Sequence, residues 1–224
     1  MNSTAFLTTV FPQNEKFLDL FLNSLSSQTY KDFDLIVIND NFQNLEVYQK
    51  LYSNLNFIII NSSNTPAKNR EIGINYCIDH GYKFLIFGDS DDYFQNNRIE
   101  KSLELLKETD VVVNDLSLFN NKEGVYEKNY ISNRLKNLEA VDLEFIKDKN
   151  IFGMSNSAIK LQDIKKICFK KDLVAVDWFF FRKILKQGLK ALFTNETVTF
   201  YRQYENNTIG LNIRDNKYHL WWEK

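Results

Sequence analysis

The chain predicts an α/β fold built on a mostly parallel sheet with helices on both faces. Three observations carry this. Short apolar runs alternate with longer stretches whose apolar residues recur at helical spacing, and short polar links join them. The runs at residues 35–38 and 83–87 are apolar without alternation, as strands buried on both faces are. Both run into acid: Asp40 after the first, and Asp89, Asp91 and Asp92 after the second. Carboxylates at strand ends lie at the carboxyl edge of a parallel sheet, where open α/β folds bind ligands.

Taken in order, residues 5–11 read as the first strand, which Pro12-Gln13-Asn14 breaks. Residues 15–27 carry Phe17, Leu18, Leu20, Phe21, Leu22 and Leu25 at helical spacing. A second strand at 35–38, a helix at about 45–52 and a third strand at 57–60 follow. A polar loop at 61–66 leads into a helix over 67–79 with Ile72, Tyr76 and Ile78 inward. The strand at 83–87 then carries the acids. Beyond them, 98–107 is helical and 110–114 is a strand with Asp115 just past its end. Residues 116–139 are polar and irregular, a hairpin or mobile loop, and 141–148 resemble a helix. A region of different texture begins at 152–160. Residues 176–189 form an amphipathic helix opened by Asp177 and closed by Gly188, and 192–201 alternate like an edge strand. No internal repeat or low-complexity linker divides the chain. One domain with two functional halves is expected, 1–115 and 116–210, with a tail at 211–224.

A length of 224 residues suits one α/β domain with a substantial core. The net charge of −1 argues against nucleic-acid binding by bulk electrostatics. Cys77 and Cys168 lie far apart without metal-type spacing and fit a reduced compartment. No signal peptide is evident, and no apolar run approaches the ~20 residues of a membrane span. A cytoplasmic location is therefore expected. The tail at 212–224 is a candidate for contact with the cytoplasmic membrane face through Leu211, Tyr218, Leu220, Trp221 and Trp222, or for packing back on the domain. Aromatic residues make up 15% and are led by phenylalanine, which points to core packing before sugar stacking.

The acid cluster sets the chemistry. Three carboxylates in four residues repel one another unless a cation or a set of donors lies between them. The simplest resident is a hard divalent metal held by oxygen and shared with phosphate; the plain alternative is a solvated acidic turn. An EF-hand fails, because Phe94 stands at the sixth loop position where glycine is needed and a strand precedes the loop. Neither G-x-G-x-x-G nor G-x-x-x-x-G-K-[ST] occurs, so phosphate would be held by metal and by cations such as Lys68 and Arg70. Asp40 can accept from a base ring N–H or serve as a turn residue. Asp177 at a helix start is helped to stay ionised by the helix dipole, and serves as a base, a cap or both. Trp178 offers a sugar platform or a core aromatic.

These residues resemble family 2 glycosyltransferases. The matching segments come in that family's order: Thr8-Thr9-Val10-Phe11, the S-x-Q-T-Y-K-D-F stretch at 26–33 before Asn39-Asp40, Ala67-Lys68-Asn69-Arg70, and Asp89-Ser90-Asp91-Asp92-Tyr93. Residues 154–160, Val176-Asp177-Trp178 with 179–182, and Tyr201-Arg202-Gln203-Tyr204 with Asn206-Asn207-Thr208 match more loosely. The resemblance implies the GT-A fold: a mostly parallel, Rossmann-like central sheet flanked by helices, with a smaller acceptor-side region. It implies transfer of one sugar, with inversion, from a nucleotide-diphosphate sugar (a UDP-sugar favoured) to a glycan or lipid-linked acceptor. By position, Asp40 would bind the base, with Thr9 and Phe11 lining that pocket and Lys68 near the nucleotide. Asp89 would face the ribose or sugar, and Asp91, with Asp89, would hold Mn²⁺ or Mg²⁺. Asp177 would be the general base, with Trp178, Asn156 and Asp92 on the acceptor side.

Four positions depart from the family pattern: Val176 stands for a Glu, Asn39 for an Asp, Phe11 for a Tyr and Pro12 for an Asn. The Q-x-x-R-W signature of processive polymerases is absent, which favours single addition. Two alternatives are a nucleotidyltransferase, whose activating Gly/Arg/Lys-rich loop residues 8–14 lack, and a non-catalytic nucleotide- or glycan-binding domain.

Overall fold

The structure, a computed structural model, describes residues 2–204. Strand β1 (Thr4–Val10) is where the sheet begins, and its residues alternate between two cores. Ala5 and Leu7 face one core; Phe6 and Val10 face the other. Strands β2 (Phe33–Asp40) and β3 (Asn56–Ser62) add in parallel on one side. Strand β4 (Phe84–Phe87) adds in parallel on the other side. The connections are helices α1 (Glu15–Ser26), α2 (Leu45–Leu51) and α3 (Pro66–Asp79). Helix α1 and α4 (Arg98–Leu105) cover one face through Leu18, Phe21, Leu22 and Ile99. Helix α3 and α5 (Val176–Lys186) cover the other through Ile74, Cys77, Phe180 and Phe181. Parallel strands with both faces covered bury every side chain they carry, which is why β2 and β4 read as unbroken apolar runs.

The later strands are β5 (Tyr93–Phe94), β6 (Val111–Asn120), β7 (Gly124–Glu127), β8 (Ala140–Val141), β9 (Ser157–Lys160) and β10 (Ala191–Arg202). Among the described residues one ten-stranded sheet forms, in the order β3-β2-β1-β4-β9-β6-β10-β5, with β7 on β6 and β8 on β10. Strand β9 lies antiparallel between β4 and β6. Being antiparallel to both, it leaves β6 and its parallel partner β10 running in the sense of β1–β4. The carboxyl ends of β1, β2, β3, β4, β6 and β10 therefore share one edge. No helix among the described residues is long and apolar enough to cross a membrane.

Several expectations need correction in the second half. Residues 141–148 are not a helix: Val141 pairs with Ala191, and the Asp142 carboxylate then accepts from the Phe145 N–H and closes a turn. Asp115 does not lie beyond a strand. It is fully buried inside β6, where its carboxylate accepts from the N–H groups of Leu116 and Ile131 and from the Ser132 hydroxyl. Residues 116–120 are therefore strand, although the hairpin back through β7 does occur. Strand β10 is not an edge: β6 pairs along its length and β5 and β8 cover parts of its far side. The membrane-facing tail and the 206–208 segment lie outside the described residues.

Gly88 joins β4 to the acids under close packing. A methyl group there would lie 2.3 Å from Phe6 Cζ and 2.8 Å from Phe94 Cζ. Both rings are buried, and Phe6 meets Phe94 edge-on at 5.3 Å between centroids. Gly88→Ala should destabilise the fold by ~1–3 kcal/mol, as overpacking of a filled core does. Chemical denaturation checks this; an unchanged midpoint would mean the rings have room to move.

Candidate active site

At the carboxyl edge, β1 and β4 lie side by side where the strand order reverses, the crevice an open α/β sheet offers a ligand. On one side Asp40 ends β2, and Asn69 of α3 donates to its Oδ2 at 2.9 Å while Asn41 donates to Oδ1 at 3.0 Å. Asn69 also accepts from Ser62 at the end of β3, so the first turn of α3 is tied to two strand ends. Thr9 and Phe11, both partly exposed, sit at the end of β1 and just past it.

The next residue of α3 reaches the acids. Arg70 Nη2 lies 3.4 Å from Asp89 Oδ1. Lys68 is turned instead to Glu71, at 2.7 Å, and Glu71 also accepts from the Phe169 N–H. Of the two cations expected near phosphate, Arg70 is the one at the acid cluster.

The acidic turn is held from several directions. Ser90, buried, donates to the Thr9 carbonyl and accepts from Asn14, each at 2.7 Å. Asp92 is buried, with Ser155 donating to one oxygen and the Arg202 N–H to the other. Arg202 Nε donates to the Asp91 carbonyl at 2.7 Å, and the Tyr204 hydroxyl to Asp91 Oδ2 at 2.9 Å. Burial first, and then the charge of Asp89, push the Asp91 carboxyl up to about 6. Asp92 is also raised well above the usual carboxylate value, by burial and then by Asp91 and Asp89.

Asp177 lies in the first turn of α5, beyond the cap residue Ala175, and its Oδ1 accepts from the Trp178 N–H. It thus satisfies a free helix-end donor without being the cap itself. Burial raises its pKa; the Arg70 guanidinium pulls it back down, and the charge of Asp89 adds to the rise. The Tyr201 hydroxyl on β10 is pushed well above the usual tyrosine value by burial, then by Asp92, Asp89, Asp91 and Asp177. Acids from two distant parts of the chain are thus within electrostatic reach of one side chain.

The three residues expected on the acceptor side are engaged within the chain. Asn156 is buried and bonded to Asn114, Ile151 and Gly153. Asp92 is held as described. The Trp178 indole N–H donates to the Ile146 carbonyl, and its ring packs on the core. Val176, in place of an acid, is fully buried. Asn14, Asn69, Ser155, Arg202 and Tyr204 complete the site without having been singled out as site residues; Ser155 and Arg202 meet the acids across 63 and 110 residues, a distance no local pattern spans.

A divalent cation fits the donor set. Among the described residues no three ligating side chains converge, so a cation here would be shared between protein and ligand oxygen. Asp89 Oδ1 faces Arg70 and Asp91 Oδ2 faces Tyr204, which leaves one oxygen of each carboxylate for a metal. One or two carboxylates completed by phosphate is the way Mg²⁺-like ions are commonly bound.

Solved structures with a similar fold include the S. aureus TarS fragment 1–349 in complex with UDP-GlcNAc (TM-score 0.72, 19% identity, covering 93% of this chain and 60% of that one). Another is the mannosyltransferase PcManGT of Pyrobaculum calidifontis in complex with GDP-Man and Mn²⁺ (TM-score 0.66, 13% identity, 92% and 59%). The chain thus spans about three fifths of the length of each. One curated protein, the 3-isopropylmalate dehydratase small subunit of Buchnera aphidicola subsp. Diuraphis noxia, is 22% identical over 148 residues, 66% of this chain and 64% of its own. That similarity agrees with neither the fold neighbours nor the family match, and it carries no activity across. The family model described as glycosyl transferase family 2 matches residues 7–189, from the first strand through the helix that holds Asp177. With the sheet, its acidic edge and that match in agreement, the chain belongs to glycosyl transferase family 2.

Proposed function

We propose that this glycosyltransferase moves one sugar, with inversion, from a nucleotide-diphosphate sugar to a glycan or lipid-linked acceptor. The observation that supports the reading is Arg70, which pairs with Asp89 at 3.4 Å while its charge also acts on the Asp177 carboxylate. In a single displacement the acceptor hydroxyl attacks the anomeric carbon, its proton passes to Asp177, and the bond from that carbon to the diphosphate breaks with the electron pair leaving on the diphosphate. A carboxylate lifted by burial, with a nearby guanidinium pulling the other way, suits a general base.

The nucleotide base lies against Asp40, which Asn69 and Asn41 orient, with Thr9 and Phe11 at the same edge. Asp91 and Asp89 would hold Mn²⁺ or Mg²⁺, which when bound offsets charge on the departing diphosphate. Arg70 adds fixed positive charge at the same place, while Lys68 contributes through Glu71 to the α3 turn. The nucleotide sugars bound by TarS and PcManGT support a nucleotide-sugar donor, and the TarS complex favours UDP. Hydrolysis of a nucleotide-sugar panel with Mn²⁺ tests the donor class directly; no turnover of any member would sink it.

Asp177→Asn should lower transfer or donor hydrolysis by ~10²–10⁴-fold, the usual contribution of a positioned base, while UDP affinity stays near wild type. Wild-type rates in that variant would remove Asp177 from the chemistry. Asp91→Ala should abolish metal-dependent donor binding in titration calorimetry; undiminished affinity contradicts the site. Because the Asp91 carboxyl titrates near 6, it binds Mn²⁺ only after losing its proton. Affinity for Mn²⁺ alone should be level above that pH and fall up to about tenfold per unit below it, the limit for competition with one proton. A flat profile down to the ordinary carboxylate range would show that Asp91 is not a ligand.

A further inference from the structure

We propose that Arg98 is a positioning residue for the metal-and-diphosphate site: its guanidinium fixes the chain as it enters the acidic turn and supplies the positive charge beneath it. The inference rests on the metal site proposed at Asp89 and Asp91.

Arg98 is the largest fully buried side chain among the described residues. Arginine is seldom buried this completely without an ion-pair partner, and here no salt bridge to it forms among the described residues. It also opens α4, where the helix dipole disfavours a cation. Both features work against stability, and such conflicts concentrate where function requires them.

Its contacts say what it does. Nη2 donates at 2.6 Å to the carbonyl of Phe87, the last residue of β4 and two before Asp89. Nε donates at 3.0 Å to Asn114 of β6. The guanidinium stacks over Phe94 at 4.5 Å and lies 5.7 Å from the Phe6 ring. Asn114 donates in turn to Thr199, Thr199 to the Ser155 carbonyl, and the Ser155 hydroxyl to Asp92. The path therefore starts at the strand before the acids and closes on the last of them. The third nitrogen, Nη1, is buried with no hydrogen-bond partner among the described residues. Burial lowers the Arg98 pKa to about 9, and Asp92 and Asp89 oppose the drop; the group stays cationic at neutral pH.

The test uses the full chain and Mn²⁺ alone, read by calorimetry, with thermal melting as the fold control. R98M keeps a stem of similar length without charge or donors; R98K keeps the charge. R98M should melt lower and bind Mn²⁺ at least ~10-fold more weakly, since an acid pair loses both its anchor and its counter-charge. R98K, which keeps the charge but not the fork that reaches both Phe87 and Asn114, should bind more tightly than R98M and more weakly than wild type. A folded R98M with wild-type affinity overturns the proposal, as does an R98K protein as weak as R98M. If R98M fails to fold, Thr199→Val, isosteric and uncharged, decides: affinity lowered at least ~3-fold supports the path from Arg98 to the acids, and unchanged affinity overturns it. Asp91→Ala is measured alongside. A wild-type protein that binds Mn²⁺ no better than Asp91→Ala overturns the metal site itself and this inference with it, whereas wild-type affinity in R98M overturns this inference alone.

Discussion

Three carboxylates within four residues, at the end of a buried strand, are a standing electrostatic cost. Most of what is unusual in this fold surrounds that turn. Ser155 and Arg202 hold Asp92, Arg202 and Tyr204 hold Asp91, and Ser90 ties the turn back to β1. The repulsion is not fully cancelled. After burial, the largest cause, the charges of the acidic neighbours still add to the raised pKa values of Asp91 and Asp92. The metal proposed for this turn, shared with a diphosphate, would relieve that repulsion.

The second half of the chain serves this turn. Strand β9 inserts antiparallel beside β4 and so brings Ser155 to the acids, two residues before the strand begins. Strand β10 runs the full length of β6, and its register shifts between Thr194 and Val198 opposite the buried Asn114-Asp115 pair. Past that shift it delivers Tyr201, Arg202 and then Tyr204 to the site. Helix α5 packs Phe180 and Phe181 against Phe87 of β4, and this contact sets the far wall, with Asp177, relative to the acids. The two halves of the chain are therefore one packed unit.

The first half was legible because its information is local. Each strand is an apolar run, each helix has its own periodicity, and the acids follow the strand they belong to. Asp40, Asp89 and Asp91 lie at the sheet edge where the alternation of elements puts them. The second half hides its structure in long-range polar contacts. Asp115 reads as a loop residue because acids are seldom buried; only its three donors from two segments make a strand position tolerable. Asp142 and Phe145 look helical by spacing, yet β8 pairing and an Asp turn win. Lys68 and Arg70 were equivalent as charges, and Glu71 divides their roles by capturing the lysine. Trp178 kept two readings open by type alone, and the Ile146 carbonyl engages its polar end within the fold.

The proposed mechanism requires a cation at Asp91 facing Asp177 across a space the width of a sugar ring. Crystals soaked with Mn²⁺ and UDP, measured at a wavelength where manganese scatters anomalously, locate that cation directly. The expected result is a single anomalous peak at ligand distance from the Asp91 carboxylate and from the diphosphate, on the side of the turn that faces Asp177. A peak bound elsewhere, with Asp91 turned away from the diphosphate, would contradict it.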